Sequence, residues 1–355
     1  MGEARGLAGH LHTYVTGLPT GVGPDAPTRD RLQAIYYRQA ARNAALLNAL
    51  AEVLGALADR GIKPIVLKGP ALVEGVYRNV AVRPMQDLDV LVTEPELQAA
   101  VSVLEALGYA PDDWYRPAEW YAAGHHHLVP YRRRQITVEI HRALVVPTVP
   151  LEPTTVEFFQ RARSVTIAGV EALALAPDDL VLHLVLHLAA TDRFYGRLGA
   201  LRDVGEVLIR ERDGVDWGRM ARSARGLERV VSGTLGVAAA VLGAPVPSEA
   251  SRALAPGALS PTEQRWLNGI ARRALVPVAI EVTGGAPWMV ETAVDQLFAR
   301  RSWAARAGSL VAAGARERAA AGRRLGLDRL ALPYGLVVHP WIALARRVRA
   351  TRRTP

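Results

Sequence analysis

Three carboxylates have the spacing and surroundings of a metal site. Asp87 and Asp89 begin a predicted strand over residues 87–92, so both side chains face one side, about 7 Å apart along the chain. Two carboxylates on one face repel each other unless a cation lies between them. Glu139 lies on the polar side of a second predicted strand, over residues 135–141, and can join the pair. Because all three ligands are oxygens, Asp87, Asp89 and Glu139 predict a two-metal site for Mg²⁺ or Mn²⁺.

A predicted tight turn upstream has the character of a phosphate site. Lys68 and Gly69 follow the β-branched run over residues 62–67 and precede a predicted helix over residues 71–77. Backbone amides at such a turn, together with a helix N-terminus, favour phosphate. Lys68 adds a positive charge, and Arg83 is placed to neutralise charge on a transferring phosphorus. We therefore predict phosphate contacts for Lys68, Gly69 and Arg83.

Two histidines near Glu139 are candidates for substrate contact. His141 shares the predicted face of Glu139. A contact with phosphate, or with the molecule that accepts a transferred group, and a purely structural role as a buried histidine are equally consistent with the sequence. His127 ends a run of three histidines, residues 125–127. If this run were extended, alternation would let at most the first and third side chains act together. We expect loop packing or substrate contact for His127 rather than metal binding.

A second histidine pair lies on a predicted helix. His183 and His187 are four residues apart and so share one face, the spacing that a zinc site needs. The residues between them are Leu184, Val185 and Leu186, without the glutamate of a His-Glu-x-x-His metalloprotease. This composition favours an acceptor-pocket or helix-packing role for His183 and His187 over zinc.

Hydrophobic periodicity predicts the elements that position these residues. A helix, or two short ones, covers residues 28–60, and another covers residues 94–107 after the Asp-x-Asp strand. After residue 150 the pattern becomes helical, with helices predicted at 177–188, 198–210, 217–225 and 229–242. Strands alternating with helices in the first half, followed by helices alone, predict an α/β (α+β) core and an all-helical second part.

Composition excludes several classes of protein. The chain has 355 residues, of which 50% are hydrophobic, and no cysteine, so disulfides, thiolate metal sites and cysteine nucleophiles are excluded. Walker-type, dinucleotide-type and nucleophile-elbow motifs are also absent from the sequence. The uncharged stretch 230–248 is too diluted by small residues and prolines for a membrane span. With no secretory signal at the first residues, the cytoplasm is the expected location.

The net charge of +9 is concentrated in a basic C-terminal tail. Residues 301–355 contain twelve arginines but only Glu317 and Asp328 as acids, so the rest of the chain is close to neutral. A near-neutral body argues against nucleic acid as a substrate, because binding to the phosphate backbone normally needs a basic groove. The tail itself is equally consistent with contact to an anionic surface and with a solvated end.

The ordered set of motifs resembles the uncharacterised nucleotidyltransferase family of the DNA-polymerase-beta-like superfamily. The catalytic half of this resemblance consists of Ile65-Val66-Leu67-Lys68-Gly69, Arg83, Asp87-Leu88-Asp89-Val90-Leu91-Val92 and Val138-Glu139-Ile140-His141. The helical half consists of Leu175-Ala176-Pro177-Asp178-Asp179, His183, His187, Arg202-Asp203 and Asp216-Trp217. The resemblance covers roughly residues 38–247.

The resemblance implies a small mixed-sheet catalytic core, a divalent metal and a nucleoside triphosphate donor. On that basis we expect an N-terminal segment at 1–61, the core at 62–165, a helical acceptor-binding domain at 166–300 and the basic tail at 301–355. Some members of the family are encoded with gene clusters for peptide natural products. The implied activity is transfer of a nucleoside monophosphate to a hydroxyl of a small molecule or peptide, with nucleotide contacts at Lys68, Gly69 and Arg83.

Three alternatives remain open at the level of the sequence. Lys68 and Gly69 stand where the wider superfamily usually has Gly-Ser, which leaves open transfer of a terminal phosphoryl group to a peptide hydroxyl. A non-catalytic nucleotide-binding module is disfavoured because it has little reason to keep repelling carboxylates. Nucleic-acid end modification, which the superfamily permits, is disfavoured by the near-neutral body.

Overall fold

The fold is described from a computed structural model over residues 6–113, 118–122, 125–146, 149, 151–190 and 198–254. The strands are β1 (Ile65–Val66), β2 (Leu88–Leu91), β3 (Ala110–Pro111), β4 (Tyr131–Arg133), β5 (Ile136–His141), β6 (Arg163–Ile167) and β7 (Val170–Ala174). The helices of the first half are α1 (Ala8–Thr16), α2 (Ala26–Ala58), α3 (Lys68–Ala71), α4 (Leu97–Ala106), α5 (Ala118–Ala122) and α6 (Thr155–Arg161). Those of the second half are α7 (Pro177–Ala190), α8 (Leu198–Glu211), α9 (Trp217–Ser223), α10 (Glu228–Leu242) and α11 (Ser248–Leu254). The basic tail, 301–355, lies outside the described residues.

The strands form one mixed sheet in the order β3-β4-β5-β2-β1-β7-β6. β2 pairs with β5 and β1 pairs with β7 in parallel, whereas the other pairs are antiparallel. Helices α7 to α11 follow the sheet in sequence. This arrangement confirms the predicted α+β class with a mixed sheet followed by helices.

The centre of the sheet is buried on both faces. All residues of β1 and β2 are buried, and one face packs against α2 through Leu46, Leu50, Val53, Leu54 and Leu57. Burial of such side chains contributes about 1.5–3 kcal/mol each, so this cluster holds the strands in a fixed place. The polar residues of β2 and β5 are therefore carried by a rigid part of the fold.

Four of the seven strands of the described sheet, β3, β4, β6 and β7, were not predicted from the sequence. β6 and β7 form a hairpin that joins the sheet beside β1, although the pattern after residue 150 predicted helices alone. Its two turn residues, Ala168 and Gly169, both have positive φ, at 53° and 76°, as a two-residue type I′ turn requires. Alanine at the first of these positions hides the usual Asn-Gly or Asp-Gly signal, which explains the error.

The predicted helices exist, with two changes near the site. The segment predicted as a helix over residues 71–77 consists of the short α3 followed by a π-helical turn, Leu72–Tyr77. The segment predicted at 94–107 begins as a 3₁₀ turn, Glu94–Glu96, before α4. Within the described ranges, every helix is too short or too polar to span a lipid bilayer. The division into domains stays a prediction.

One buried side chain of α2 fixes the segment that leads to the aspartates. Asn43, with no exposed surface, donates to the carbonyl oxygens of Val80 at 2.6 Å and Arg83 at 2.7 Å. Its side-chain oxygen accepts from the backbone N–H of Met85 at 3.2 Å. A single amide thus satisfies three backbone groups of an irregular segment, which would otherwise carry unpaired polar atoms.

We expect Asn43→Ala to lower the free energy of unfolding by about 2–3 kcal/mol, because backbone groups of residues 80–85 lose their partner. Asn48 lies exposed on the same helix and offers a matched control. Asn48→Ala should leave stability unchanged or raise it by up to about 0.7 kcal/mol, since alanine has the higher helix propensity. Urea denaturation of both variants checks this, and equal effects would show that Asn43 anchors nothing.

Candidate active site

Parallel pairing of β2 with β5 brings two of the predicted carboxylates side by side. Asp89 lies opposite Glu139 in the register of the two strands, and Leu91 lies opposite His141. Partner residues on adjacent strands point to the same face, so Asp89 and Glu139 share one face of the sheet. Asp87 comes one residue before β2, which begins at Leu88 rather than at Asp87 as predicted.

Asp89 is the most tightly held carboxylate of this group. It is 1% exposed and accepts hydrogen bonds from Lys68 Nζ at 3.2 Å and from His141 Nε2 at 2.8 Å. Burial by itself would raise the pKa of Asp89, but the Lys68 ammonium and the His141 hydrogen bond hold that pKa well below its usual value. Asp89 is therefore ionised in the folded protein.

The turn after β1 aims Lys68 at this carboxylate. The backbone N–H of Leu67 donates to the carbonyl oxygen of Asp89 at 2.9 Å, which continues the pairing of β1 with β2. Lys68 then adopts a left-handed conformation, with φ of 42°, a strain of about 1 kcal/mol or more for a residue other than glycine. The strained turn places the amine in the carboxylate site, where the side chain is only 15% exposed.

Asp87 experiences the excess negative charge of the site. Its pKa is raised to about 7, first by the charge of Asp89, then by burial and by the charge of Glu139. Lys68 and Arg83 only partly offset this effect. Repulsion of this kind is relieved when a cation binds among the carboxylates.

Glu139 lies between two imidazole rings. Its Oε2 is 3.5 Å from His127 Nε2 and 3.6 Å from His141 Nε2, both beyond ordinary hydrogen-bond length. His127 and His141 are themselves opposite each other in an isolated antiparallel bridge. His127 Nδ1 lies 2.6 Å from the carbonyl oxygen of Leu128, to which it donates. Burial lowers the pKa of His127 to about 4.

All three histidines of the run at 125–127 pack together, contrary to the expectation from strand alternation. The ring centroids of His125, His126 and His127 lie 4.2–4.8 Å apart. The expectation was wrong because the segment bends at His126 and only His127 pairs as a strand residue. His126 is 2% exposed, and its ring centroid is 5.1 Å from that of His141. His126 is not among the residues that the sequence predicts for the site, although the unbroken histidine run could have indicated it.

The sequence profile of a family described as uncharacterised nucleotidyltransferase matches residues 1–243. The chain belongs to this family. The match confirms the resemblance, and with it the assignment of the chain as a nucleotidyltransferase. A solution structure of the antibiotic-resistance factor ANT(2'')-Ia is similar over 46% of this chain and 83% of that one, with 10% sequence identity and a TM-score of 0.33. No curated protein sequence matches significantly.

The residues of this nucleotidyltransferase fit a divalent cation. Ligand atoms of Asp89, Glu139 and His141 all lie within 4.8 Å of one another, and all three residues are at least partly buried. The negative charge that raises the pKa of Asp87 lies at the same place. Carboxylate oxygens suit Mg²⁺ and Mn²⁺ and the imidazole adds a nitrogen, so this group can hold a divalent cation, and the identity of the metal stays a prediction.

Arg83 of the nucleotidyltransferase forms an ion pair with a carboxylate of the same chain. Its Nε lies 3.0 Å from both carboxylate oxygens of Asp203 on α8, and Tyr77 donates to the same carboxylate at 2.7 Å. Arg202, the neighbour of Asp203 on α8, forms an ion pair with Glu206. The role of Arg83 in binding phosphate stays a prediction.

Gly69 lets the turn after β1 lie close to the side chains of Met85 and Arg83. A Cβ atom at this position would lie 3.1 Å from the side chain of Met85 and 3.3 Å from Arg83 Nη1. A larger residue would therefore require the side chains of Met85 and Arg83 to shift by a few tenths of an ångström. Gly69 thus packs closely against both side chains, and its contact with phosphate stays a prediction.

His183 and His187 lie on α7, with ring centroids 6.0 Å apart, and the His187 ring is 6.4 Å from that of His126. His183 is 1% exposed, and neither of its ring nitrogens has a hydrogen-bond partner. Burial, followed by the nearby charge of Lys68, lowers its pKa well below the usual value. A neutral imidazole with both nitrogens unsatisfied is consistent with the predicted substrate contact.

Because Asp87 and Asp89 repel each other, we expect Asp87→Asn to raise the free energy of unfolding in EDTA at pH 8 by about 1–2 kcal/mol. Addition of Mg²⁺ should stabilise the wild-type protein but not the variant, which lacks a metal ligand. Thermal and urea denaturation with and without Mg²⁺ provide the measurement.

Asp203→Asn is the matched control, since it also converts a buried carboxylate to an amide. Asp203 is paired with Arg83 and Tyr77, so its loss should lower stability with or without metal. A loss of stability in EDTA from Asp87→Asn would contradict the repulsion on which this prediction depends.

Proposed function

We propose that this nucleotidyltransferase is metal-dependent and moves a nucleoside monophosphate from a nucleoside triphosphate to a hydroxyl group of a small molecule or peptide natural product. The observation that carries the proposal is the pairing of Asp89 with Glu139 across β2 and β5, with Asp87 and Lys68 beside them. Family membership supports nucleotide transfer in general. The metal and the acceptor are parts of the proposal.

Asp87, Asp89 and Glu139 would hold Mg²⁺ or Mn²⁺, which when bound neutralises phosphate charge and favours ionisation of the attacking hydroxyl. Asp89 is ionised and fixed by Lys68 and His141, so it serves as the stationary ligand of the set. Glu139 is 17% exposed and has the freedom to take the proton of the acceptor hydroxyl.

Lys68, Gly69 and Arg83 would contact the triphosphate. The Lys68 ammonium is nearly buried and supplies a positive charge beside the carboxylates. Arg83 keeps part of its guanidinium available, because the contacts to Asp203 use Nε and one of the two Nη groups is directed to the carbonyl of Pro84. An arginine oriented by a buried carboxylate loses little freedom when it contacts phosphate.

In the proposed reaction the acceptor oxygen attacks the α-phosphorus in line with the leaving group. A new oxygen–phosphorus bond forms, the bond from the α-phosphorus to the bridging oxygen breaks, and pyrophosphate leaves with the electron pair. The hydroxyl proton passes to Glu139. His183 and His187 on α7 are proposed to contact the acceptor or its phosphate. His141 uses Nε2 to orient Asp89 and His127 lies beside Glu139, so these two rings act at the carboxylate site in this proposal.

Mass spectrometry of a reaction with Mg²⁺, the four nucleoside triphosphates and hydroxyl-bearing acceptors, peptides among them, tests this proposal. We expect an acceptor to gain a nucleoside monophosphate, with one pyrophosphate released for each product. The double variant Asp87→Asn/Asp89→Asn should lose at least about 10³-fold in rate, because several kcal/mol of charge stabilisation depend on these carboxylates.

Asp203→Asn separates the two parts of the site, since it leaves the proposed metal ligands in place but removes the carboxylate that orients Arg83. It should weaken triphosphate binding and retain more activity than the double variant. A gain of phosphate alone, with nucleoside diphosphate released, would replace nucleotidyl transfer by phosphoryl transfer at the same site. If triphosphate binding does not respond to Mg²⁺ and no acceptor is modified, the proposal is wrong.

A further inference from the structure

The hydrogen bond at one nitrogen of His127 determines what the other nitrogen offers. Nδ1 lies 2.6 Å from the carbonyl oxygen of Leu128, and a carbonyl oxygen only accepts. The ring proton is therefore on Nδ1. In a neutral imidazole whose proton is on Nδ1, the lone pair is on Nε2.

That lone pair faces a carboxylate oxygen. Nε2 of His127 is 3.5 Å from Oε2 of Glu139, too long for a hydrogen bond. Two adjacent ligands of one cation, each bonded at about 2.1 Å, are separated by roughly 3.0–3.5 Å, depending on the coordination geometry. Two acceptor atoms at this separation have the spacing of ligands that share an ion.

The neighbouring histidine shows the contrasting arrangement. His141 Nε2 lies 2.8 Å from Asp89, which is a normal hydrogen-bond length. His141 therefore uses this nitrogen to orient Asp89, whereas His127 directs its Nε2 at Glu139 without such a bond. The fold fixes both rings, because His127 and His141 form a backbone bridge and the Tyr121 ring packs 5.3 Å from that of His127.

We propose that His127 is a nitrogen ligand of the metal position beside Glu139, so that the centre combines nitrogen with oxygen ligands and prefers Mn²⁺ to Mg²⁺. The inference rests on the proposed metal-dependent function and adds a ligand to its three carboxylates. A hydrogen bond from the remote ring nitrogen to a backbone carbonyl is the usual way in which a metal-binding histidine is oriented. Mg²⁺ strongly prefers oxygen ligands, whereas manganese also accepts histidine.

Pulsed electron paramagnetic resonance of bound Mn²⁺ tests the proposal without an activity measurement. We expect modulation from a directly bound ¹⁴N in the wild-type protein, with a changed pattern when histidine is labelled with ¹⁵N. This measurement requires no substitution, so a variant that fails to fold does not affect it. Titration of Mn²⁺ with and without competing Mg²⁺ gives the metal preference.

His127→Gln should abolish the nitrogen modulation and weaken Mn²⁺ binding by at least about tenfold, while Mg²⁺ binding changes less. His125→Gln replaces a neighbouring histidine of the same run and should keep both the modulation and the affinity. Circular dichroism and thermal unfolding confirm that the compared variants are folded.

The proposal is overturned if Mn²⁺ binds without a nitrogen signal, or if the signal survives His127→Gln and disappears in His141→Gln. In either case Mn²⁺ binding that still depends on Asp87 and Asp89 leaves the proposed carboxylate centre intact. Mn²⁺ binding that is unchanged in Asp87→Asn/Asp89→Asn overturns the carboxylate centre and the histidine ligand together.

Discussion

The ionised, buried carboxylate of Asp89 is the constraint around which the site is arranged. A charge with 1% exposure costs several kcal/mol unless hydrogen bonds and an opposite charge compensate for it. Lys68 and His141 provide this compensation from two different elements, the turn after β1 and the strand β5. Backbone pairing of β1 and β5 with β2 holds these donors in place. Compensation of the Asp89 charge therefore depends on the register of the sheet.

A second set of polar contacts connects the site to the helices. Asn43 of α2 satisfies the backbone of the segment that carries Arg83, and Asp203 of α8 accepts from Arg83 and Tyr77. Each of these contacts joins residues more than 35 positions apart in the sequence. Because buried polar groups are costly when unpaired, such contacts specify one arrangement of the helices around the sheet.

The histidines near the carboxylates differ in charge because they differ in partners. The hydrogen bond to Asp89 and the charge of that carboxylate raise the pKa of His141 in spite of its burial. Burial lowers the pKa of His127 to about 4, and it also lowers the pKa values of His126 and His183 below their usual value. Neutral imidazoles next to ionised carboxylates can bind a metal or accept a hydrogen bond, which a ring of positive charges could not do. A buried site with both kinds of group can offer oxygen and nitrogen ligands to one cation.

The sequence by itself determined the central strands, most of the helices and the family, because alternation, helical periodicity and short motifs are properties of one segment at a time. Only the tertiary structure decided that Asp89 lies opposite Glu139, that Lys68 turns toward Asp89, and that Arg83 bonds Asp203. It also decided that the histidine run at 125–127 packs beside His141, and that the hairpin at 163–174 extends the sheet. Strand register and contacts between distant residues depend on how separate segments pack. A pattern within one segment carries no information about the position of its partner.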